Sequence, residues 1–161
     1  MASSRLVIGI IVGILLSFLT AYFFNMEEIK TQIGIYLSYD ILRVVTLMIG
    51  ANFQFDMISF FTAPALDVFL GSSLIACLFI GFISGTIAKG AKRGILTGLV
   101  IVVVNFLIWM LLSVISGEDL MAFFQGAQLI ATIGGVLGAL TGAIIGGLLG
   151  GLISGPYEEV Y

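Results

Sequence analysis

The sequence predicts an all-α membrane protein in which four transmembrane helices form a compact bundle, with an outer amphipathic helix between the first two. Two observations predict this fold class. The chain of 161 residues is 60% hydrophobic and only 9% charged, far from the composition of a soluble domain. It also contains four long apolar stretches without an internal charge, so residues 1–161 are expected to form a single membrane domain.

The four predicted spans are set by the length of helix that crosses a bilayer. A hydrocarbon core about 30 Å thick requires about 20 apolar residues, and residues 6–25, 67–88, 95–115 and 126–154 meet this requirement. The first stretch is longer than the apolar region of a signal peptide and is not followed by a cleavage site. We therefore expect it to be retained as the first span.

Positive charge predicts the orientation of the spans. Lys89, Lys92 and Arg93 lie between the second and third spans, and cationic loops stay in the cytoplasm. With Arg5 on the same side, both termini are predicted to be cytoplasmic and the protein to be integral to the plasma membrane. Residues 26–66 then form a long outer segment.

The outer segment contains a polar stripe at helical spacing. The helix predicted over residues 33–51 either lies in the outer interface or forms a fifth span that would move the N-terminus outside. The interfacial helix is preferred, because Asp40 and Arg43 would be costly inside a membrane. The stripe consists of Gln32, Tyr36, Tyr39, Arg43, Thr46 and Gly50.

Small residues recur every four positions in the predicted spans. Residues four apart share one face of a helix, and small residues on one face let transmembrane helices approach closely. The last span has two such faces, one of glycines and one of glycine and alanine that includes Ala139, Ala143 and Gly147. The predicted helix-packing residues are Gly9, Gly13, Gly81, Gly85, Gly134, Gly138, Gly142, Gly146 and Gly150.

The same composition argues against chemistry within the membrane. The predicted spans carry no ionisable residue between their ends, and the chain has no histidine. We therefore predict a protein that is not an enzyme, with no catalytic, cofactor or metal site. The net charge of −3 argues against nucleic acid as a partner. Asn105 is the strongly polar side chain at depth, and is expected to make an interhelical hydrogen bond or, alternatively, a pore contact.

Two stretches carry a resemblance to a known group of proteins. The stretches GFISGTIAKGAKRGILTG and GGVLGALTGAIIGGLLGG resemble those of small glycine-rich, four-span membrane proteins of unknown function that are common in archaea. The resemblance covers residues 66–155 and implies a similar fold. The long outer segment departs from this group, and the resemblance implies no activity.

Two functions are expected from these features. The first is a non-catalytic structural or accessory subunit of a larger membrane complex. Its last span offers more small-residue surface than one neighbour requires, so its partners would be other membrane subunits and lipid. The alternative is a small homo-oligomeric channel or permease with glycine-rich helices at the pore.

Overall fold

The computed structural model describes residues 2–64 and 72–155 of the chain, and within these ranges it is all-α, as predicted. The long helices are α1 (Ala2–Phe23), α5 (Ser72–Ala88), α6 (Ala91–Ile115) and α8 (Gly126–Ile153). Short helices connect them: α2 (Glu27–Tyr36), α3 (Ile41–Gly50), α4 (Met57–Thr62) and α7 (Leu120–Phe123). A single 3₁₀ turn, Ala51–Phe53, follows α3.

Four helical stretches are long and apolar enough to cross a membrane. They are Ser4–Phe23, Ile41–Thr62, Ala91–Ile115 and Gly126–Ile153. Three of them correspond to predicted spans. The helix at the second predicted span is shorter over the described residues, as the apolar helix Ser73–Ala88, and the start of that predicted span lies in residues 65–71, outside the described ranges.

The helix predicted over residues 33–51 is instead two helices. Helix α2 ends at Tyr36, and α3 begins at Ile41 after a turn. The break has a local cause, because the Asp40 carboxylate accepts a hydrogen bond from the Arg43 backbone N–H at 3.0 Å and so caps the start of a new helix. Within 41–62 the helix is interrupted again at residues 54–56.

The long helices alternate in direction, which separates the charges of the molecule. Helix α1 starts beside the end of α5, since a β-carbon added at Gly9 would lie 2.9 Å from the Ser84 carbonyl oxygen. The Gly90 N–H donates to the Gly151 carbonyl at 3.1 Å, which places the end of α8 at the same point. We call this the basic end, because Arg5, Lys89, Lys92 and Arg93 flank it.

The opposite, acidic end carries the connections 24–40 and 116–125. Among the described residues, the acidic side chains lie in these connections or at Asp56. The basic loop is tight because Gly90 adopts φ +88°, a conformation that favours glycine. Both ends of the described chain, at Ala2 and Gly155, therefore belong to the basic end.

Large apolar side chains cover the outward faces of the long helices. On α1, Ile8, Ile11, Leu15 and Leu19 are all exposed. Helices α6 and α8 carry similar exposed rows of leucine, isoleucine and valine. Such surfaces are unfavourable in water and favourable in lipid, so the structure is compatible with a membrane protein.

Candidate functional site: a re-entrant segment and the cavities around it

Residues 41–62 insert between α1, α6 and α8, and we call them the re-entrant segment. Its first helix, α3, runs inward beside α6. Arg43 near the start of α3 lies 3.8 Å from Glu118 at the acidic end. A β-carbon at Gly50, the last residue of α3, would lie 2.8 Å from Trp109 Nε1, deeper along α6. Phe55 then contacts Gly138, near the middle of α8. Met57 contacts Thr141, one turn farther along α8. Ala63 then lines a cavity together with Asn25 of the connection 24–40 and with Ser73 at the start of α5.

Asn52 fixes the innermost turn of this segment. It is 3% exposed, and its side-chain amide donates to the Ser17 carbonyl at 2.9 Å and to the Ile49 carbonyl at 3.0 Å. Its side-chain oxygen accepts from the Thr20 hydroxyl at 2.9 Å. Since Ile49 belongs to α3 and the other two residues to α1, one side chain both caps α3 and joins it to α1.

Three glycines of α8 hold the other side of the segment. A β-carbon at Gly134 would overlap the Asp56 carboxylate, and one at Gly135 would overlap the Phe53 carbonyl. One at Gly138 would overlap the Phe55 carbonyl. The first part of the glycine face on α8 is therefore covered by residues 53–56 of the same chain.

The remaining glycines of α8 lie against its two neighbours. Gly142, Gly146 and Gly150 face α5, where added β-carbons would meet Leu74, Leu78 and Phe82. On the second face, Gly147 and Gly151 contact α6 through the backbone of Gly94 and Gly90. From α5, Gly81 and Gly85 reach Ala143 and Gly147, while Gly9 and Gly13 of α1 face Ser84.

Asp56 combines a structural role with a position between helices. Its carboxylate accepts hydrogen bonds from the backbone N–H groups of Ile58 and Ser59, at 3.0 and 3.1 Å, and from the Ser59 hydroxyl at 2.5 Å. It thereby caps α4 while it lies against Gly134 of α8. An acidic group at such a place is by default a candidate for function in a membrane protein.

Two cavities flank the re-entrant segment and share Glu28, Gln54 and Asp56. The first has a volume of about 610 Å³ and is completed by Asn25, Met26, Glu27, Phe55, Ser59, Phe60, Ala63 and Ser73. The second, of about 600 Å³, lies between α2, α3, α6 and α8 and includes Phe53, Trp109, Glu118 and Gln128. Each is large enough for a small molecule.

Below the second cavity lies a small void of about 10 Å³. Phe53 lines both spaces, and its ring packs against Phe106 and Trp109 with centroid distances of 5.8 and 5.7 Å. The void is also lined by Asn52, Cys77 and Asn105. Its volume is at the lower limit of the space that one water molecule needs, and its lining is almost entirely apolar.

Asn105 is buried at this void and is only half satisfied. Its amide nitrogen donates to the Ser17 hydroxyl on α1 at 2.6 Å, so it makes an interhelical hydrogen bond. Its side-chain oxygen has no hydrogen-bond partner, and the same is true of the buried hydroxyls of Ser73 and Ser84. Cys77, between these two serines on α5, donates to the Asn52 carbonyl at 3.3 Å.

Sequence reasoning did not find Asn52 or the depth of Asp56, because residues 26–66 were predicted to lie outside the bundle. Nothing in the described ranges forms a group of three or more Asp, Glu, Cys or His side chains suited to a metal ion. No protein-family model, no curated protein and no solved structure matches the chain.

Proposed function

We propose that the protein is a small channel or permease, with α1, α5, α6 and α8 as its transmembrane bundle and the acidic end as its entrance. The observation that carries this proposal is the re-entrant segment. Residues 54–56 are not helical and lie between the helices, beside the middle of α8. Within a membrane, such backbone occurs where it is buried in protein or lines a water-filled cavity.

The cavities support an entrance at the acidic end. They meet at Gln54 and Asp56, the floor formed by the non-helical residues. Glu28 lines both cavities as well, so a polar solute would find several hydrogen-bond acceptors there. In this proposal the pore runs beside the re-entrant segment, because the glycines of the long helices face neighbouring backbones rather than a common opening.

A flux measurement on the full chain in liposomes tests the proposal. The purified protein is expected to raise the permeability to at least one of water, small polyols and monovalent cations above that of protein-free liposomes. Gly138→Leu would push Phe55 out of its place and is expected to change that permeability several-fold. Gly34→Leu is the matched control, because a β-carbon at Gly34 meets nothing within 4 Å. Correctly folded wild-type protein that conducts none of these solutes would overturn the proposal.

The accessory-subunit function remains a second proposal on a different observation. Its original basis, the spare small-residue face of α8, is occupied by α5, α6 and residues 53–56. A partner subunit would pack on an outward apolar face such as the row on α1, where Leu15 is 61% exposed, and would replace lipid there. Purification from native membranes in mild detergent is expected to bring down different chains in fixed proportion if this is correct, and the protein alone, or a homo-oligomer, if it is not.

A further inference from the structure

Helices α1 and α6 run parallel and keep one register from the middle of the bundle toward the basic end. Three pairs of neighbouring residues between them are all 88 positions apart in the chain. Within each helix, successive pairs are four residues apart, so each contact lies about one turn closer to the basic end. The register therefore also sets which residues of the first turns lie side by side. The three pairs are Ser17 with Asn105, Gly13 with Ile101 and Gly9 with Thr97.

This register brings Arg5 of α1 beside Arg93 of α6. Both arginines lie one turn beyond the last of the three pairs and have the same separation in the chain. A third cation is near, because Lys89 directly follows Ala88, whose β-carbon would lie 3.7 Å from one added at Gly9. Three positive charges thus meet where α1, α5 and α6 come together at the basic end.

Positive charge is unfavourable at this place unless an anion accompanies it. Like charges at neighbouring positions repel each other, and Lys92 and Arg93 lie in the first turn of α6, where the helix macrodipole disfavours cations. Within residues 2–64 and 72–155, the acidic side chains lie in the connections 24–40 and 116–125 or at Asp56, away from this end. A bound anion would offset both effects.

The cations of this end also lie at the start of apolar rows that face outward. On α1 the exposed row begins at Ile8, three residues after Arg5, and on α6 it begins at Leu96, four residues after Lys92. Residues at these spacings share one face of a helix. An anion that carried acyl chains would therefore satisfy the charges and cover the rows together. The rows continue through Ile11, Leu15 and Leu19 on α1 and through Leu99, Val103 and Leu107 on α6.

We propose that the basic end binds one anionic phospholipid, with its phosphate between Arg5 and Arg93 and its acyl chains on the apolar rows of α1 and α6. Arginine binds phosphate oxygens through paired, charge-assisted hydrogen bonds, and Lys89 and Lys92 add positive charge around the same headgroup. This inference is independent of the proposed channel, because none of these four residues lines either large cavity.

Native mass spectrometry of the purified full chain tests the site. Phosphatidylglycerol should bind about tenfold more tightly than phosphatidylcholine with the same acyl chains. Since the chain carries a net charge of −3, such a preference requires a local positive site. Arg5→Gln combined with Arg93→Gln should weaken phosphatidylglycerol binding about tenfold. The matched control is Lys30→Gln combined with Arg43→Gln, which removes the same charge from side chains that already pair with Glu27 and Glu118, and it should bind as the wild type does.

Equal affinity of the wild type for the two lipids would overturn the proposal, and this comparison does not depend on how any variant folds. Unchanged phosphatidylglycerol binding in the double variant at positions 5 and 93, or an equal loss in the control, would also overturn it. Inorganic phosphate in excess should displace little of the lipid, because it has no acyl chains to cover the apolar rows. Complete displacement would mean that the site takes free phosphate, and the lipid assignment would then be wrong.

Discussion

Backbone contact between α5 and α8 can be tested by adding single methyl groups along one glycine face. Ordinary van der Waals contact begins at about 3.4 Å, and a β-carbon at Gly142 would lie 3.0 Å from both Cys77 Cβ and the Leu74 carbonyl oxygen. At Gly146 it would lie 2.9 Å from the Phe82 backbone nitrogen and closer still to the Leu78 carbonyl. An added β-carbon at Gly142 would therefore be about 0.4 Å closer to its neighbours than ordinary contact allows, and one at Gly146 closer still. The backbone atoms that it meets cannot rotate away.

The expected costs follow this order. Gly146→Ala must separate the two helices and should lower the free energy of unfolding by about 1–3 kcal/mol, the usual cost of overpacking. Gly142→Ala should cost less. Gly34→Ala, on an open position of α2, should be neutral or stabilise by up to about 1 kcal/mol, because alanine favours helix over glycine.

The assay is reversible unfolding in detergent micelles by titration with SDS, with helix content read by circular dichroism. All three variants add one methyl group to a helical glycine, so propensity changes in the same direction in each. The result that would falsify the reasoning is an equal effect at positions 34, 142 and 146, since that would mean that α5 and α8 are not in backbone contact.

Three further outcomes are expected. Asn52→Leu removes three hydrogen bonds. At about 0.6 kcal/mol for each bond inside a membrane, the free energy of unfolding in SDS titration should fall by about 2 kcal/mol. Hydrogen exchange of residues 51–56 should accelerate, and unchanged exchange would argue against Asn52 as the anchor. Arg43 and Glu118 lie 3.8 Å apart, and both side chains are partly exposed. A double-mutant cycle with Arg43→Gln and Glu118→Gln should therefore give a coupling energy of about 1 kcal/mol or less. A much larger coupling energy would mean that the pair is desolvated. Single cysteines can be placed at positions 4, 92 and 118 in a Cys77→Ala background. Those at positions 4 and 92 should react with an impermeant thiol reagent from one side of the membrane, and the one at position 118 from the other side. Labelling of positions 4 and 118 from the same side would contradict the arrangement of the two ends.

The sequence predicts the long helices well because their signals are local. Apolar length locates α1, α6 and α8 to within a few residues, and Gly90 with its flanking lysines marks the turn between α5 and α6. The re-entrant segment could not be found in this way. Asp40 and Asp56 each start a helix through a local cap, but the depth of residues 51–56 depends on Asn52 reaching α1, more than 30 residues away.

In the candidate site, too, local sequence signals predict some features, whereas others depend on the whole fold. Asn105 is recognisable in the sequence as a polar residue within an apolar helix, and the glycine spacing of α8 identifies a surface for close packing. Which element covers each part of that surface depends on the whole fold. The sequence predicted helix packing at Gly134 and Gly138, whereas the structure has the Asp56 carboxylate and the Phe55 carbonyl there.

The close fit of Asp56 against Gly134 links two positions that are far apart in the chain. A side chain at position 134 would occupy the volume of the carboxylate, so a larger residue there is compatible only with a smaller one at position 56 and a different cap for α4. In a library in which both codons are randomised and folded protein is selected, the two positions should therefore vary together. The bulky positions of α8 that face outward, such as Leu137 and Leu149, should exchange freely among aliphatic residues.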